Sequence, residues 1–316
     1  MSFSSDCKNQ LVKLKVRSPM GIHAALSGLF STAGSLELGG QPGLSFVTDN
    51  GAVARWAQGL LEGLSAGLDS RIAMHERNRL GRSRRFSLCV SGEMLPQLLQ
   101  TWGILQTQGD YLDLPGEVPA RWASQEEWAR LYLRGAFLGV GTLSNPDKAY
   151  QLEFVLQNET MAASLQHFLQ RYDLRAKWVR RKAHCVVYLK ESDNIAKLLG
   201  LLGASGAVLR FEETRVLKEL RNQLNRQVNF ETANLDKTAG AAVRQIENIR
   251  WLLACGGWEP LSLELQQMAT VRLQHPDATL AELGELLSPP ISKSGVNHRL
   301  RKLNELAETC RGQKEG

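Results

Sequence analysis

The chain has 316 residues, enough for two or three domains and a large buried core. Its balance of 43% hydrophobic, 22% charged and 7% aromatic residues is that of a soluble globular protein, and no apolar run approaches the ~18 residues of a membrane-crossing helix. A net charge of +6 leans toward a polyanionic partner, while Cys7, Cys89, Cys185, Cys255 and Cys310 form no CxxC pair and so argue against a zinc site or disulfide framework.

The opening residues Met1-Ser2-Phe3-Ser4-Ser5-Asp6 lack the basic and then apolar regions of a secretion signal, so a cytoplasmic location is expected. Residues 26–34, Leu26-Ser27-Gly28-Leu29-Phe30-Ser31-Thr32-Ala33-Gly34, then set apolar and small residues in a helical run that closes on glycine. Glycine on a helix face lets a second backbone come close. Ser45-Phe46-Val47-Thr48-Asp49-Asn50 reads as a strand entering a turn, and Ala54, Gln58 and Leu61 as the helix after it. A basic hairpin follows, with Arg71, Arg77, Arg79, Arg82, Arg84 and Arg85 against a single acid, Glu76, and a turn at 78–81. An apolar helix is expected over 94–103.

The same order then recurs. Leu133-Arg134-Gly135-Ala136-Phe137-Leu138-Gly139-Val140-Gly141 stands 107 residues after the first run; Glu153-Phe154-Val155-Leu156-Gln157-Asn158, Ala162, Gln166 and Leu169 stand 108 after their counterparts. A second basic hairpin carries Arg175, Lys177, Arg180, Arg181, Lys182 and Lys190, with a turn at 181–183, and leads into a helix over 194–203. A drifting offset is what loop insertions produce, so the repeat predicts two similar halves, about 1–115 and 116–211.

Strand alternation predicts basic residues on one face, with Ile72, Phe86, Leu88, Trp178, Val186 and Tyr188 on the other. Two such hairpins make a positive saddle suited to duplex phosphates. The candidate contacts are Arg77, Arg79, Arg82, Arg84, Arg85, Lys177, Arg180, Arg181 and Lys182; the plainer alternative is a solvated strand face.

The two nine-residue runs resemble the LAGLIDADG motif of homing endonucleases. In that family the residue before the final glycine is acidic and holds the catalytic metal; here the positions are Ala33 and Val140, which offer no oxygen to a cation. The resemblance implies the scaffold without the cleavage, hence no enzyme, no metal and no cofactor. An active nuclease with ligands elsewhere, such as Glu37, Asp49 or Glu153, is the alternative.

Residues 212–257 lose their strand signals and read as a helical connector, with a second helix expected at 239–253. Leu217, Leu220, Leu224 and Val228 fall on one side; Asn222, Asn225, Arg226 and Asn229 form a polar stripe on the other. Asparagine is a poor helix former, so the stripe calls for a compensating contact with DNA or a neighbouring domain.

In the tail, a helix over 261–273 ends at His275-Pro276, Thr279 caps a short helix over 280–287, and Ser288-Pro289-Pro290 breaks it. A third helix, capped by Ser292 and running to about 308, buries Val296, Leu300, Leu303 and Ala307. This is a helix-turn-helix pattern over 258–311. Ser292, Lys293, Ser294, Asn297, His298, Arg301 and Lys302 lie off the apolar stripe and are donors of the right reach for base edges and phosphates.

The whole resembles the WhiA family of bacterial DNA-binding regulators, on the stretches Arg134-Gly135-Ala136-Phe137-Leu138, Arg221-Asn222 to Asn234, Lys237-Thr238 and Ser292-Lys293-Ser294-Gly295-Val296-Asn297-His298-Arg299-Leu300. What the resemblance implies is an α+β chain: a duplicated LAGLIDADG-like αββαββα saddle over 1–211, the connector over 212–257 and the all-α helix-turn-helix over 258–311. It further implies a sequence-specific regulator of transcription, linked to cell division or sporulation, on the nucleoid, with double-stranded DNA and other regulatory proteins as partners. A protein-interaction scaffold with DNA binding confined to the tail is a third reading.

Overall fold

The computed structural model describes residues 2–37, 43–64, 67–77, 83–108, 111–255 and 260–314. The chain divides into two compact units, Met1–Glu219 and Leu220–Gly316.

The first unit opens with α1 (Phe3–Leu11) and then runs twice through one order. The first pass is α2 (Pro19–Ala33), β1 (Gly34–Glu37), β2 (Gly43–Thr48), α3 (Gly51–Glu62), β3 (Asp69–Arg77), β4 (Ser83–Ser91) and α4 (Leu95–Trp102). A small ribbon of β5 (Gln106–Gln108) and β6 (Tyr111–Asp113) separates it from the second pass. That pass is α5 (Glu126–Val140), β7 (Gly141–Leu143), β8 (Leu152–Leu156), α6 (Glu159–Gln170), β9 (Lys177–Arg181), β10 (His184–Leu189) and α7 (Ser192–Leu202). The two four-stranded antiparallel sheets have matching orders, β1-β2-β4-β3 and β7-β8-β10-β9.

Local chemistry repeats with the topology. Asn50 and Asn158 cap α3 and α6 through their side-chain oxygens, accepting from Ala52 and Met161 at 3.0 and 2.7 Å. Gln58 donates to the Ser70 carbonyl and Gln166 to the Ala176 carbonyl, both at 3.0 Å, tying each helix to the start of its hairpin. Both α4 and α7 end on a left-handed glycine, Gly103 (φ 72°) and Gly203 (φ 88°), where a side chain would strain the backbone. Edge-to-face rings pin each central helix to its sheet: Phe30 on Phe46 (6.4 Å) and Phe137 on Phe154 (6.2 Å). The halves share one continuous core, with α2 packed along α5 and Gly28 and Gly135 at their closest approach.

α8 (Ser205–Ala254) is one helix of 50 residues. This corrects the expectation of two helices. Once a helix is established, extending it one residue fixes one residue for one hydrogen bond, so weak formers such as Asn234 and Thr238 do not interrupt it. Its first turns bury Ala207 and Phe211 in the core of the first unit, and its last turns bury Ile249 and Leu252 in that of the second.

The second unit is completed by α9 (Leu263–Gln274), α10 (Leu280–Glu285) and α11 (Lys293–Lys314). Thr279 and Glu282 form a reciprocal capping box at the start of α10. Val296, Leu300, Leu303 and Ala307 face inward onto Met268, Ala269 and Leu283, as the periodicity predicts. Arg299 reaches Glu264 at 3.3 Å and Asn248 donates to Asn304 at 3.1 Å, fixing α11 against α9 and α8.

Candidate nucleic-acid interface

Two surfaces answer to the expected contacts, and the outer side of α11 is the first. Ser292, Lys293, Ser294, Asn297, His298, Arg301 and Lys302 are all exposed, while the stripe opposite is buried. The side chain of Ser292 caps the helix, accepting from Gly295 N–H at 3.3 Å. Arg301 leans on Glu305 one turn away, at 3.1 Å. An exposed pair of this kind contributes little stability, so the guanidinium is available to a stronger anion.

The second surface is the sheet face turned away from the helices. Pairing of Arg71 with Cys89, His75 with Arg85 and Cys89 with Ser45 places these residues on the open face of the first sheet. Lys177, Val179 and Arg181 pair with Tyr188, Val186 and His184 on the open face of the second. Ile72, Phe86, Leu88 and Trp178 lie on the packed side, as expected.

Four residues do not follow the expected faces. Val186 and Tyr188 share the open face with Lys177, and Val187 takes the inner place against Phe154. Arg84 and Arg180 fall on the parity of the packed side, beyond the reach of the core, and both are exposed. Strands alternate strictly, so a basic residue next to another must point the other way. Lys182 sits at the hairpin tip with φ 53°. Arg79 and Arg82 lie outside the described residues, as does the side chain of Arg77.

The saddle is also less positive than a count of its arginines suggests. Arg85 pairs with Asp49 (3.3 Å), Arg180 with Glu159 (3.0 Å), Arg181 with Glu153 (2.9 Å), Arg71 with Asp69 (2.8 Å) and Arg175 with Glu191 (3.5 Å). Glu159 and Glu191 stand at helix starts remote in sequence from their partners, and no local pattern signalled them. Of the expected hairpin contacts whose side chains are described, Arg84, Lys177 and Lys182 make no ion pair with another described residue.

Between the sheets, the ends of α2 and α5 meet: a Cβ on Gly139 would stand 3.0 Å from that of Ala33. Ala33 thus meets Gly139 at the seam, and neither Ala33 nor Val140, the residue after Gly139, carries a carboxylate. Asp49 and Glu153 are engaged by arginines, and the described residues contain no cluster of three or more His, Cys, Asp or Glu fit to hold a metal. One charged group that the sequence reading missed lies close by. Lys8 donates to the Leu138 carbonyl in the last turn of α5 (3.0 Å), and burial pushes its ammonium down to about 8. Burial also pushes the neighbouring Cys7 thiol up to about 12.

On the connector, Asn222, Asn225, Arg226 and Asn229 are exposed, as the stripe requires. Leu217, Leu220, Leu224 and Val228 are exposed as well, at 51 to 63%. No described helix is long and apolar enough to cross a membrane.

Two LAGLIDADG-like halves followed by a helix-turn-helix define the class of protein. Residues 20–105 match the model of the WhiA N-terminal LAGLIDADG-like domain, 129–221 the WhiA LAGLIDADG-like domain, and 224–307 the WhiA C-terminal HTH domain. A protein of Clostridium acetobutylicum named "Probable cell division protein WhiA" is 40% identical over 319 residues, covering 100% of both chains. One of the same name from Heliobacterium modesticaldum is 41% identical over 98% of this chain and 96% of its own. The crystal structure of full-length DUF199/WhiA from Thermatoga maritima superposes with a TM-score of 0.61 at 22% identity, covering 98% of this chain and 99% of that one. The chain belongs to the WhiA family.

Proposed function

We propose that this chain is a regulator that binds double-stranded DNA in a sequence-dependent way and does not cut it. The observation that carries this reading is the exposed donor row of α11, Asn297, His298, Arg301 and Lys302 with Lys293 and Ser294 in the first turn, backed by a fully buried stripe. A helix so held in a helix-turn-helix enters the major groove end-on, with asparagine suited to adenine and arginine to guanine. Ser292, at the cap, is assigned to phosphate.

The duplicated domain supplies contacts outside the bases, through Lys177 and Lys182 and through Arg85 and Arg181 once they exchange their acids for phosphates. Arg77, Arg79 and Arg82 belong to the same proposed surface. Asn222, Asn225, Arg226 and Asn229 extend it along the connector. The seam at Ala33 and Val140 lacks the paired carboxylates that metal-assisted cleavage needs, which supports binding without hydrolysis. The name carried by the relatives points to cell division as the process, and a cytoplasmic chain on the nucleoid is the matching location.

The arginine–acid pairs of the hairpins favour a second reading, in which the duplicated domain docks a regulatory protein and the tail alone holds DNA. A magnesium-dependent cleavage assay combined with duplex binding tests the main proposal. Specific binding without nicking supports it; site-specific nicking removes it.

A further inference from the structure

Away from both sheets, at the N-terminal half of α5, a cavity of about 460 Å³ opens between that helix and the segment joining α1 to α2. Lys15 and Arg17 line it from the segment, Arg130 and Arg134 from the helix. Two acids also face it: Glu126 is paired with Arg130, while Glu127 keeps its charge and accepts from the Ser18 hydroxyl at 2.9 Å, so the four basic residues still outnumber the acids. Among the described residues, Lys15, Arg17 and Arg134 have no ion-pair partner.

Arg134 is the informative member. Its Nε donates to the Leu202 carbonyl at 2.8 Å, closing the end of α7, and burial lowers its basicity. The first half performs the same task without a charge. Ser27, 107 residues earlier, donates its hydroxyl to the Trp102 carbonyl at 2.7 Å, closing the end of α4. There the Trp122 indole completes the closure, donating to the Ser27 hydroxyl at 2.8 Å and reaching the Trp102 carbonyl at 3.4 Å, so the fold closes this helix end without a charged group. A half-buried guanidinium without a carboxylate carries a desolvation cost that helix closure does not explain. The other basic position is equally one-sided, since the counterpart of Arg130 in the first half is His23.

We propose that this cavity binds a phosphate-bearing small molecule of mononucleotide size. Planar guanidinium forks match phosphate oxygens in pairs, and the unpaired cations offset a dianion. Val16 and Leu131 supply apolar wall for an uncharged body, and the volume falls in the range of small-ligand pockets and exceeds that of a bare phosphate. Leu131 and Gly141 are ten residues apart on the helix, roughly 15 Å, so the ligand sits clear of the strands that begin at Gly141.

The test is calorimetric titration of the full chain with ADP, inorganic pyrophosphate and adenosine. ADP is expected to bind saturably at one site, pyrophosphate to compete with it, and adenosine to give no binding. The double variant Lys15→Ala/Arg17→Ala alters only exposed charges and should weaken ADP at least about tenfold, as loss of charge-assisted hydrogen bonds does. Arg134→Ser, which copies the Ser27 arrangement, should do the same; if it does not fold, the double variant decides alone. No saturable binding overturns the proposal. So does an equal loss in Lys177→Ala, or displacement of ADP by duplex DNA, either of which makes the cavity part of a general nucleic-acid surface.

Discussion

Gly28 and Gly135 each lie beneath a carbonyl of the other's helix. A Cβ on Gly28 would fall 2.0 Å from the Tyr132 oxygen, and one on Gly135 2.0 Å from the Ala25 oxygen. Ala25 and Tyr132 are themselves 107 residues apart, so the contact is reciprocal and the seam two-fold in kind. Neither backbone oxygen can move without unpacking a helix. Either glycine to alanine is therefore expected to destabilise the first unit by about 3 kcal/mol or more in denaturant unfolding, at the upper end of overpacking costs. Gly59→Ala, where nothing stands within 4 Å, should instead stabilise by up to ~1 kcal/mol. Similar behaviour of all three variants would refute the seam.

The two DNA surfaces make different predictions for substitution. Asn297→Ala and Arg301→Ala should each reduce preference for the specific site by about 1–3 kcal/mol, roughly fivefold to 150-fold, as lost base contacts do. Lys177→Ala, on the open sheet face, should weaken all duplexes alike and lower the salt slope by roughly 0.9. Arg84→Ala should change neither, because its strand register turns it to the other side. Competition binding at several salt concentrations separates these outcomes, and loss of preference in Lys177→Ala would contradict the assignment.

Much of the architecture was legible because duplication survives loop insertion. Gln58 and Gln166, aligned in the sequence, make the same hydrogen bond, and Gly103 and Gly203, at the ends of the two aligned helices, the same left-handed stop. The face of α11 was legible because one buried stripe defines a helix completely. Strand faces in the second hairpin were not. Val186 and Val187 are both apolar, and only pairing with Val155 and Phe154 on β8 decides which one turns inward. The acids opposite the hairpin arginines come from other elements, so charge counted along one segment overstated the field of the saddle.

Ile249 and Leu252, on α8, are 1% and 2% exposed within the core of the second unit. A helix-turn-helix fragment that starts at residue 258 discards both. It should be less stable than one starting at 242 by about 4 kcal/mol, from two buried aliphatic side chains at roughly 2 kcal/mol each. Thermal unfolding of the two fragments checks this, and equal midpoints would place the boundary after α8.

Lys8 gives the first unit a pH signature. Its folded value of about 8 lies below the ordinary 10.5, so between these limits the unfolded chain holds more protons and this group's contribution to stability rises with pH, being lost as pH falls through 8. Cys7, raised from 9.0 to about 12, contributes the opposite slope above pH 9. The window between about pH 8 and 9 therefore isolates the lysine. Lys8→Met should flatten the rise of the unfolding midpoint there; parallel profiles for the two proteins would show that the ammonium is not buried against α5.

The central claim is that α11 chooses the DNA site and that the chain holds it uncut. Genome-wide mapping of bound sites in cells, with the native chain and an Asn297→Ala/Arg301→Ala variant at matched abundance, addresses it most directly. The account predicts discrete sites for the native chain, intact DNA at each, and their disappearance in the variant. The same sites occupied by both chains, or breaks at the occupied positions, would contradict it.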